Sequence, residues 1–296
     1  MCNHDIDRGH CSGDSGGPLF IRLRSRYLQI GVASFGFGKK RCGEFQGGFA
    51  RLTPNVLSWI KKMMRDEDPH NDMPLEYKRV STMPEPDCGQ RIDSNDPEIK
   101  SLQYPWLVDV CVDYEEDKLD SSGNKISCSK LCKGTLISKH DVLTSASCVK
   151  TSDENNTVVF LESLNIQDSL DSLDYQFLSK NQEIETKVGF PGVSELIPPV
   201  KIHPDYSLSG SEEYKRAPDV ALIKLEKPVD FGPAVNKICL PTTRKTDQDF
   251  SNSKAIFATR NEYQPSEGSE VMSKAEVTVK SIEWCRNEYN LNFMQR

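Results

Sequence analysis

The chain has 296 residues, enough for one large domain or two smaller ones, and its 36% hydrophobic content can supply a buried core. Its formal net charge of -7 argues against a nucleic-acid partner, which would require a basic stripe. No apolar stretch approaches the roughly 20 residues of a membrane-spanning helix, so we expect no membrane partner.

Cysteine usage points to an oxidising compartment. The ten cysteines are scattered rather than grouped like metal ligands, so we expect disulfides and neither a metal nor a cofactor. Asn155-Asn156-Thr157 is a glycosylation sequon, which also fits secretion. Met1 leads into Cys2 without a charged or apolar leader, so the sequence carries no signal peptide. We therefore expect a piece of a longer, extracellular protein.

Residues 1–65 form a first block. The glycine-rich run Cys11–Pro18 comes first, and the apolar segments Tyr27–Gly36 and Gly47–Leu52 predict strands. Thr53-Pro54 predicts a helix start, with threonine at the N-cap and proline at the first helical position. The predicted buried face of this helix has helical spacing and comprises Val56, Trp59, Ile60 and Met63.

Residues 66–87 are rich in proline and charge and lack periodicity, which predicts a linker. Residues 88–296 form a second block of apolar segments typical of strands. The segments expected to be strands or hairpins are Tyr104–Val110, Cys132–Ser138, Val142–Thr144, Asp219–Leu225 and Glu276–Val279. Ile238–Pro241 predicts a connecting segment.

The run Cys11-Ser12-Gly13-Asp14-Ser15-Gly16-Gly17-Pro18 resembles the nucleophile loop of trypsin/chymotrypsin-like serine endopeptidases. In that family the loop lies near the C-terminus, whereas residues 88–296 here resemble the front of the family's domain. The resemblance implies an all-β fold of two antiparallel six-stranded barrels with a C-terminal helix, in permuted order. Residues 1–65 would be the C-terminal part of a trypsin-like domain, and residues 88–296 the N-terminal part.

Two origins fit this swapped order. The sequence is either the end of one protease unit followed by the start of the next, which we favour, or a natural circular permutation. Half a barrel cannot satisfy its strand edges alone. In either case we expect residues 1–65 to complete the second barrel together with residues from about 245 to 296.

The resemblance also implies a set of disulfides. Family spacing suggests three disulfides. Cys111 and Cys128 are additional to the family, and we expect them to pair with each other across a hairpin. Cys2 and Cys285 match partner positions on either side of the loop where this chain begins and ends. The expected pairs are Cys132 with Cys148, Cys11 with Cys42, Cys88 with Cys239, Cys111 with Cys128, and Cys2 with Cys285.

The catalytic residues of the family map onto three positions. Ser15 is the nucleophile candidate, and the N–H groups of Gly13 and Ser15 would form its oxyanion hole. Asp219 is the expected triad aspartate, whose task is to orient an imidazole. The family has Thr-Ala-Ala-His-Cys where this chain reads Thr144–Cys148, so Ser147 stands in the histidine position. A serine hydroxyl cannot act as a general base near neutral pH.

The specificity pocket and the activation site also depart from the family. Ser34, Gly36 and Gly47 match pocket walls, and Gly9 stands where trypsin-like members keep an aspartate. A glycine at the base of the pocket predicts no preference for arginine or lysine. The pocket is then either an apolar slot or one that has lost its specificity. The activation segment Arg91–Asn95 lacks the family's glycines, which disfavours a new N-terminus at Ile92 pairing with Asp14.

Two functions remain open from the sequence. The chain is a serine-type endopeptidase by family, and as written we expect its catalysis to be impaired, unless Ser15 works with a histidine and an aspartate that precede Met1. The alternative is an extracellular pseudoprotease that acts as a regulatory binding module or cofactor in a protease cascade. The expected partners are polypeptide substrates or other proteases.

Overall fold

A computed structural model describes part of the chain. The described residues are 1–3, 5, 11, 13–36, 47–65, 88–91, 103–115, 127–150, 157–161, 200–206, 218–225, 228–232, 235–241, 250–260 and 272–288. The predicted linker over residues 66–87 lies outside them.

The described residues contain twelve strands and three helices. In chain order the strands are β1 (Cys2–Asn3), β2 (Pro18–Leu23), β3 (Arg26–Gly36), β4 (Gly47–Arg51), β5 (Leu107–Glu115), β6 (Ser127–Leu136), β7 (Asp141–Thr144), β8 (Thr157–Leu161), β9 (Val200–Ile202), β10 (Ala221–Lys224), β11 (Lys254–Arg260) and β12 (Met272–Lys280). The helices are α1 (Pro54–Arg65), α2 (Ala146–Val149) and α3 (Ile282–Glu288).

Six strands form a closed antiparallel barrel in the order β1-β12-β11-β2-β3-β4. The barrel mixes the two ends of the chain, because β1 pairs with both β12 and β4 and β2 pairs with β11. Phe20 lies opposite Ile256, and Cys2 lies opposite Lys280. Residues 1–65 and residues 250–288 therefore complete one another's sheet edges, as the swapped order requires.

The other six strands form a second antiparallel sheet in the order β8-β5-β6-β7-β10-β9. Within the described residues its hydrogen bonds run from β8 at one side to β9 at the other. The prediction of an all-β fold of the chymotrypsin type is confirmed. Strand β5 starts at Leu107 rather than Tyr104, because the segment around Pro105 makes a turn in which the Leu107 N–H donates to the Tyr104 carbonyl at 3.1 Å.

Helix α1 begins as its sequence predicts. The hydroxyl of Thr53 accepts a hydrogen bond from the Val56 N–H at 3.4 Å, and Pro54 is the first helical residue. Val56 and Ile60 are buried, and Trp59 and Met63 are partly buried. The helix packs into the same core as residues of β7 and β10, so it joins the first block to the second sheet.

Four aromatic side chains join the barrel to the second sheet. Ring centroids lie 5.1 to 5.9 Å apart among Phe20, Tyr27, Tyr104 and Trp106. All four are buried. Such pairs add about 0.5–1.5 kcal/mol each beyond the burial of their area. The cluster lies between the two blocks of sequence and holds the nucleophile loop and the base position within one body.

Candidate active site

The nucleophile loop leaves the barrel ahead of β2. The Gly17 N–H donates to the Asp14 carbonyl at 3.0 Å, and the Gly16 N–H donates to the Ala33 carbonyl at 2.8 Å. Gly16 has a φ of 90°, and a Cβ there would collide with the Lys133 carbonyl oxygen. Glycine is therefore required at this turn. The loop presents a partly exposed Ser15.

Asp14 is buried beside this loop. One of its carboxylate oxygens accepts a hydrogen bond from the Cys11 N–H at 2.7 Å, and its own N–H donates to the Cys11 carbonyl at 3.1 Å. These bonds close the loop locally. Ile92, the residue whose new N-terminus would pair with Asp14 in the family, lies outside the described residues, so the expectation at the activation site stays a prediction.

Asp219 lies just before β10 and accepts hydrogen bonds from three donors. The Ser147 N–H donates to Oδ1 at 2.6 Å. The Ser147 hydroxyl donates to Oδ2 at 2.8 Å, and the Ser34 hydroxyl donates to the same oxygen at 2.5 Å. Asp219 is buried at 9% exposure. Among the described residues, the carboxylate is therefore held by serine hydroxyl and backbone donors and by no imidazole.

Ser147 is held in place by the short helix α2. The Cys148 N–H donates to the Ser145 carbonyl at 3.2 Å, and Cys148 is bonded to Cys132 of β6 with Cα atoms 6.4 Å apart. The Ser147 hydroxyl also lies 3.5 Å from that of Ser145. The side chain in the histidine position therefore donates to Asp219, as the family's imidazole does through one nitrogen, but it lacks the second nitrogen that would accept the proton of the nucleophile.

The Ser15 hydroxyl and the N–H groups of Gly13 and Ser15 are the hydrogen-bond donors of the nucleophile loop. Among the described residues, no group accepts a hydrogen bond from the Ser15 hydroxyl, and no carbonyl accepts from the Gly13 or Ser15 N–H groups. The Ser15 carbonyl itself accepts from the Lys133 N–H at 2.8 Å. Within the described part of the chain, the nucleophile loop thus has available donors and no proton acceptor bonded to its serine.

Sequence reasoning missed one charged neighbour of this site. Lys130 of β6 donates through Nζ to the Ser147 carbonyl oxygen at 2.5 Å. Burial lowers the pKa of the Lys130 ammonium, and the negative charge of Asp219 partly opposes that shift. The only signal in the sequence was its place two residues before Cys132, which carries no chemical signature by itself.

The expected pocket walls are partly described. Gly36 pairs with Gly47 where β3 meets β4, and the Gly47 N–H donates to the Asn3 side-chain oxygen. Phe35, between Ser34 and Gly36, is 40% exposed. Asn3 is a further residue that sequence reasoning did not single out. Gly9, the expected floor, lies outside the described residues, so the nature of the pocket stays a prediction.

The three expected disulfides that fall on described side chains are bonded in the structure. Cys2–Cys285 and Cys88–Cys239 have Cα separations of 6.1 and 4.9 Å, and Cys132–Cys148 supports Ser147 as described above. Cys11 is disulfide-bonded, and its expected partner Cys42 lies outside the described residues. The side chains of Cys111 and Cys128 also lie outside them, so these two pairings stay predictions.

A closed barrel, a second antiparallel sheet and few helices define the all-β fold of a chymotrypsin-type serine protease. The chain matches the Trypsin family over residues 1–60 and 117–295, and it belongs to that family. Within the described residues, no helix has the length and apolarity needed to cross a membrane.

Several curated proteins resemble parts of the chain. Phenoloxidase-activating factor 3 of Holotrichia diomphalia is 32% identical over 142 residues, covering 47% of this chain and 34% of that protein. Complement factor B of Bos taurus is 42% identical over 67 residues, covering 21% of this chain and 9% of that protein. Complement C1r-B subcomponent of Mus musculus is 38% identical over 72 residues, covering 23% of this chain and 10% of that protein. The matched part of the chain thus spans about one third or less of each of these relatives.

Proposed function

We propose that this chain is a serine-endopeptidase homologue whose catalysis is impaired and whose role is to bind polypeptides. The observation that carries the proposal is the hydrogen bond from the Ser147 hydroxyl to Asp219 at 2.8 Å. A hydroxyl committed as a donor to a carboxylate has no capacity to take the proton of Ser15 at neutral pH.

The size of the effect makes residual turnover negligible. Removing the base of a comparable triad lowers turnover by a factor of about 10⁶, which corresponds to about 8 kcal/mol of activation free energy. Lys130 does not replace the base in this proposal, because its ammonium donates to the Ser147 carbonyl. The carboxylate, the nucleophile loop and the pocket walls remain as a polypeptide-binding surface.

The biological role we propose is that of an extracellular pseudoprotease acting as a regulatory module or cofactor in a protease cascade. The relatives support this proposal by name, since one is a phenoloxidase-activating factor and others are complement components. The disulfide-rich structure supports an oxidising, extracellular location. Polypeptide substrates or other proteases are the proposed partners.

A working serine endopeptidase is the second candidate. The intact loop around Ser15, with its two available N–H donors, favours it, because these groups have their clearest use in stabilising an oxyanion. This candidate needs a base other than the Ser147 hydroxyl, from a histidine elsewhere in residues 1–296.

One experiment separates the two candidates. The full chain is incubated with a pool of octapeptides blocked at both ends, with Ser15→Ala as the matched control. The proposal predicts that peptides co-elute with the protein and that mass spectrometry finds no new termini beyond those with Ser15→Ala. Cleavage that depends on Ser15 would establish the endopeptidase instead. Peptides that neither bind nor break would contradict the binding role.

A further inference from the structure

Lys133 of β6 contacts both halves of the candidate site through its backbone. Its N–H donates to the Ser15 carbonyl oxygen at 2.8 Å. Its carbonyl oxygen accepts from the hydroxyl of Thr144 at 2.7 Å, and Thr144 ends β7 just ahead of the segment that carries Ser147. The position of this one residue therefore sets the distance between the nucleophile loop and the base position.

The side chain of Lys133 forms a buried ion pair. Its Nζ lies 2.7 Å from Oδ1 of Asp109, and both side chains are only 5% exposed. Asp109 lies directly opposite Lys133 in the register of β5 and β6. A buried ammonium is strongly unfavourable without its counter-ion. Movement of Lys133 away from β5 would separate the pair, so the ion pair restrains that movement.

The nucleophile loop packs tightly on this residue. A Cβ at Gly16 would collide with the Lys133 carbonyl oxygen, and a Cβ at Gly17 would lie 3.5 Å from the Lys133 Cβ and 3.2 Å from the ring of Phe257. Close-packed interiors transmit displacements to their neighbours. A shift of Lys133 would therefore shift Gly16 and Gly17 and, with them, Ser15.

We propose that Asp109 and Lys133 are positioning residues, and that their buried ion pair fixes the nucleophile loop against the second sheet. They act on Ser15 through the Lys133 backbone and do not contact a substrate. This role is independent of whether Ser15 reacts, because it concerns the placement of the loop donors that either a bound polypeptide or a transition state would use. The backbone contact from Lys133 to Ser15 joins the two blocks of sequence, since Ser15 comes from the first and Asp109 and Lys133 from the second.

The test replaces the pair in the full chain by apolar residues of similar size, as Asp109→Leu with Lys133→Met. Such replacements often leave stability unchanged or raise it, so the fold survives. The Gly16 and Gly17 amides, which donate to Ala33 and Asp14, are followed by hydrogen exchange in NMR spectra. We expect both amides to exchange at least about tenfold faster while the melting temperature stays within a few degrees of wild type.

The matched control is Lys224→Met, which removes an ion pair with Asp141, 3.2 Å apart on the same sheet, and should leave the exchange of Gly16 and Gly17 unchanged. If the double variant fails to fold, Asp109→Asn keeps the shape and an acceptor oxygen while removing the counter-ion of Lys133, and should also accelerate exchange. Exchange at the wild-type rate in a folded variant that lacks the ion pair would overturn the proposal.

Discussion

Ser147 donates to Asp219 as the family's imidazole would, but it has no basic nitrogen to accept the proton of Ser15. The carboxylate keeps three donors, two from Ser147 and one from Ser34. A buried carboxylate that had lost its imidazole partner would otherwise be left with an unfavourable unpaired charge. The serine hydroxyl therefore stabilises the vacated site while removing its chemistry.

Ser147→His tests whether the base alone is missing. We expect the variant to release a measurable burst of p-nitrophenol from p-nitrophenyl acetate, below that of trypsin because the activation segment also differs from the family. Ser147→His combined with Ser15→Ala is the control and should give no burst. Absence of a burst in a folded Ser147→His variant would show that the nucleophile loop is not ready for catalysis.

His203 should make the stability of the chain depend on pH. Burial lowers the pKa of His203, and the nearby charge of Asp205 partly opposes the shift. Nδ1 accepts the Asp205 N–H at 3.3 Å, and the ring lies 4.9 Å from that of Trp59. Because the unfolded chain, with a pKa of about 6.5, takes up the proton more readily, stability should fall as the pH falls below about 6.5.

The measurement is the urea midpoint at pH 7.5 and at pH 5. His203→Gln should reduce the loss of stability between the two values. An equal pH dependence in the wild type and in His203→Gln would contradict the assignment.

At the scale of elements, α1 links the two blocks of sequence through its buried face. Ile60 is fully buried in the core that also contains Val220 and Leu222. Truncating such a side chain leaves a cavity as well as removing apolar contacts, and Ile60→Ala should lower the free energy of unfolding by about 2–5 kcal/mol. Lys62→Ala on the exposed side of the helix is the control and should change it by less than about 0.5 kcal/mol. Urea unfolding measures the free energy of unfolding of both variants. A loss for Ile60→Ala as small as that for Lys62→Ala would show that α1 does not join the core.

The sequence predicted those elements whose signals are local. The helix start at Thr53-Pro54 and the strand Tyr27–Gly36 needed only capping chemistry and an apolar run, and the structure has both. The nucleophile loop was recognisable because its motif, the preceding cysteine and the following strand together resemble the family's loop. The six-stranded order of each sheet depends on pairings between distant residues, and only the family resemblance anticipated it.

The site residues that sequence reasoning missed all depend on long-range contacts. Lys130 reaches the site through the Ser147 carbonyl, and Asn3 through the Gly47 N–H. The Lys133–Asp109 ion pair requires the register of β5 on β6. A lysine or aspartate within an apolar strand gives no local indication of its partner, so these contacts could not be read from composition or periodicity.

At the scale of the whole molecule, the Cys2–Cys285 disulfide ties the two ends of the described chain into one barrel. It joins residues separated by 283 positions, whereas Cys132–Cys148 spans 16. Chain-entropy arguments give a larger stabilisation for the longer loop, about 5 kcal/mol against about 3 kcal/mol. Replacing both Cys2 and Cys285 with serine should therefore lower the urea midpoint more than the same change at Cys132 and Cys148. The opposite order would show that the ends contribute little to the barrel.

The most direct measurement of the central claim is the second-order rate constant for the reaction of a fluorophosphonate with the folded, full chain at neutral pH, followed by intact mass. The account predicts a rate indistinguishable from that of Ser15→Ala, because no group in the described site accepts the Ser15 proton. Labelling of Ser15 at a rate close to that of trypsin would contradict the account and would require a base that the Ser147 hydroxyl does not supply.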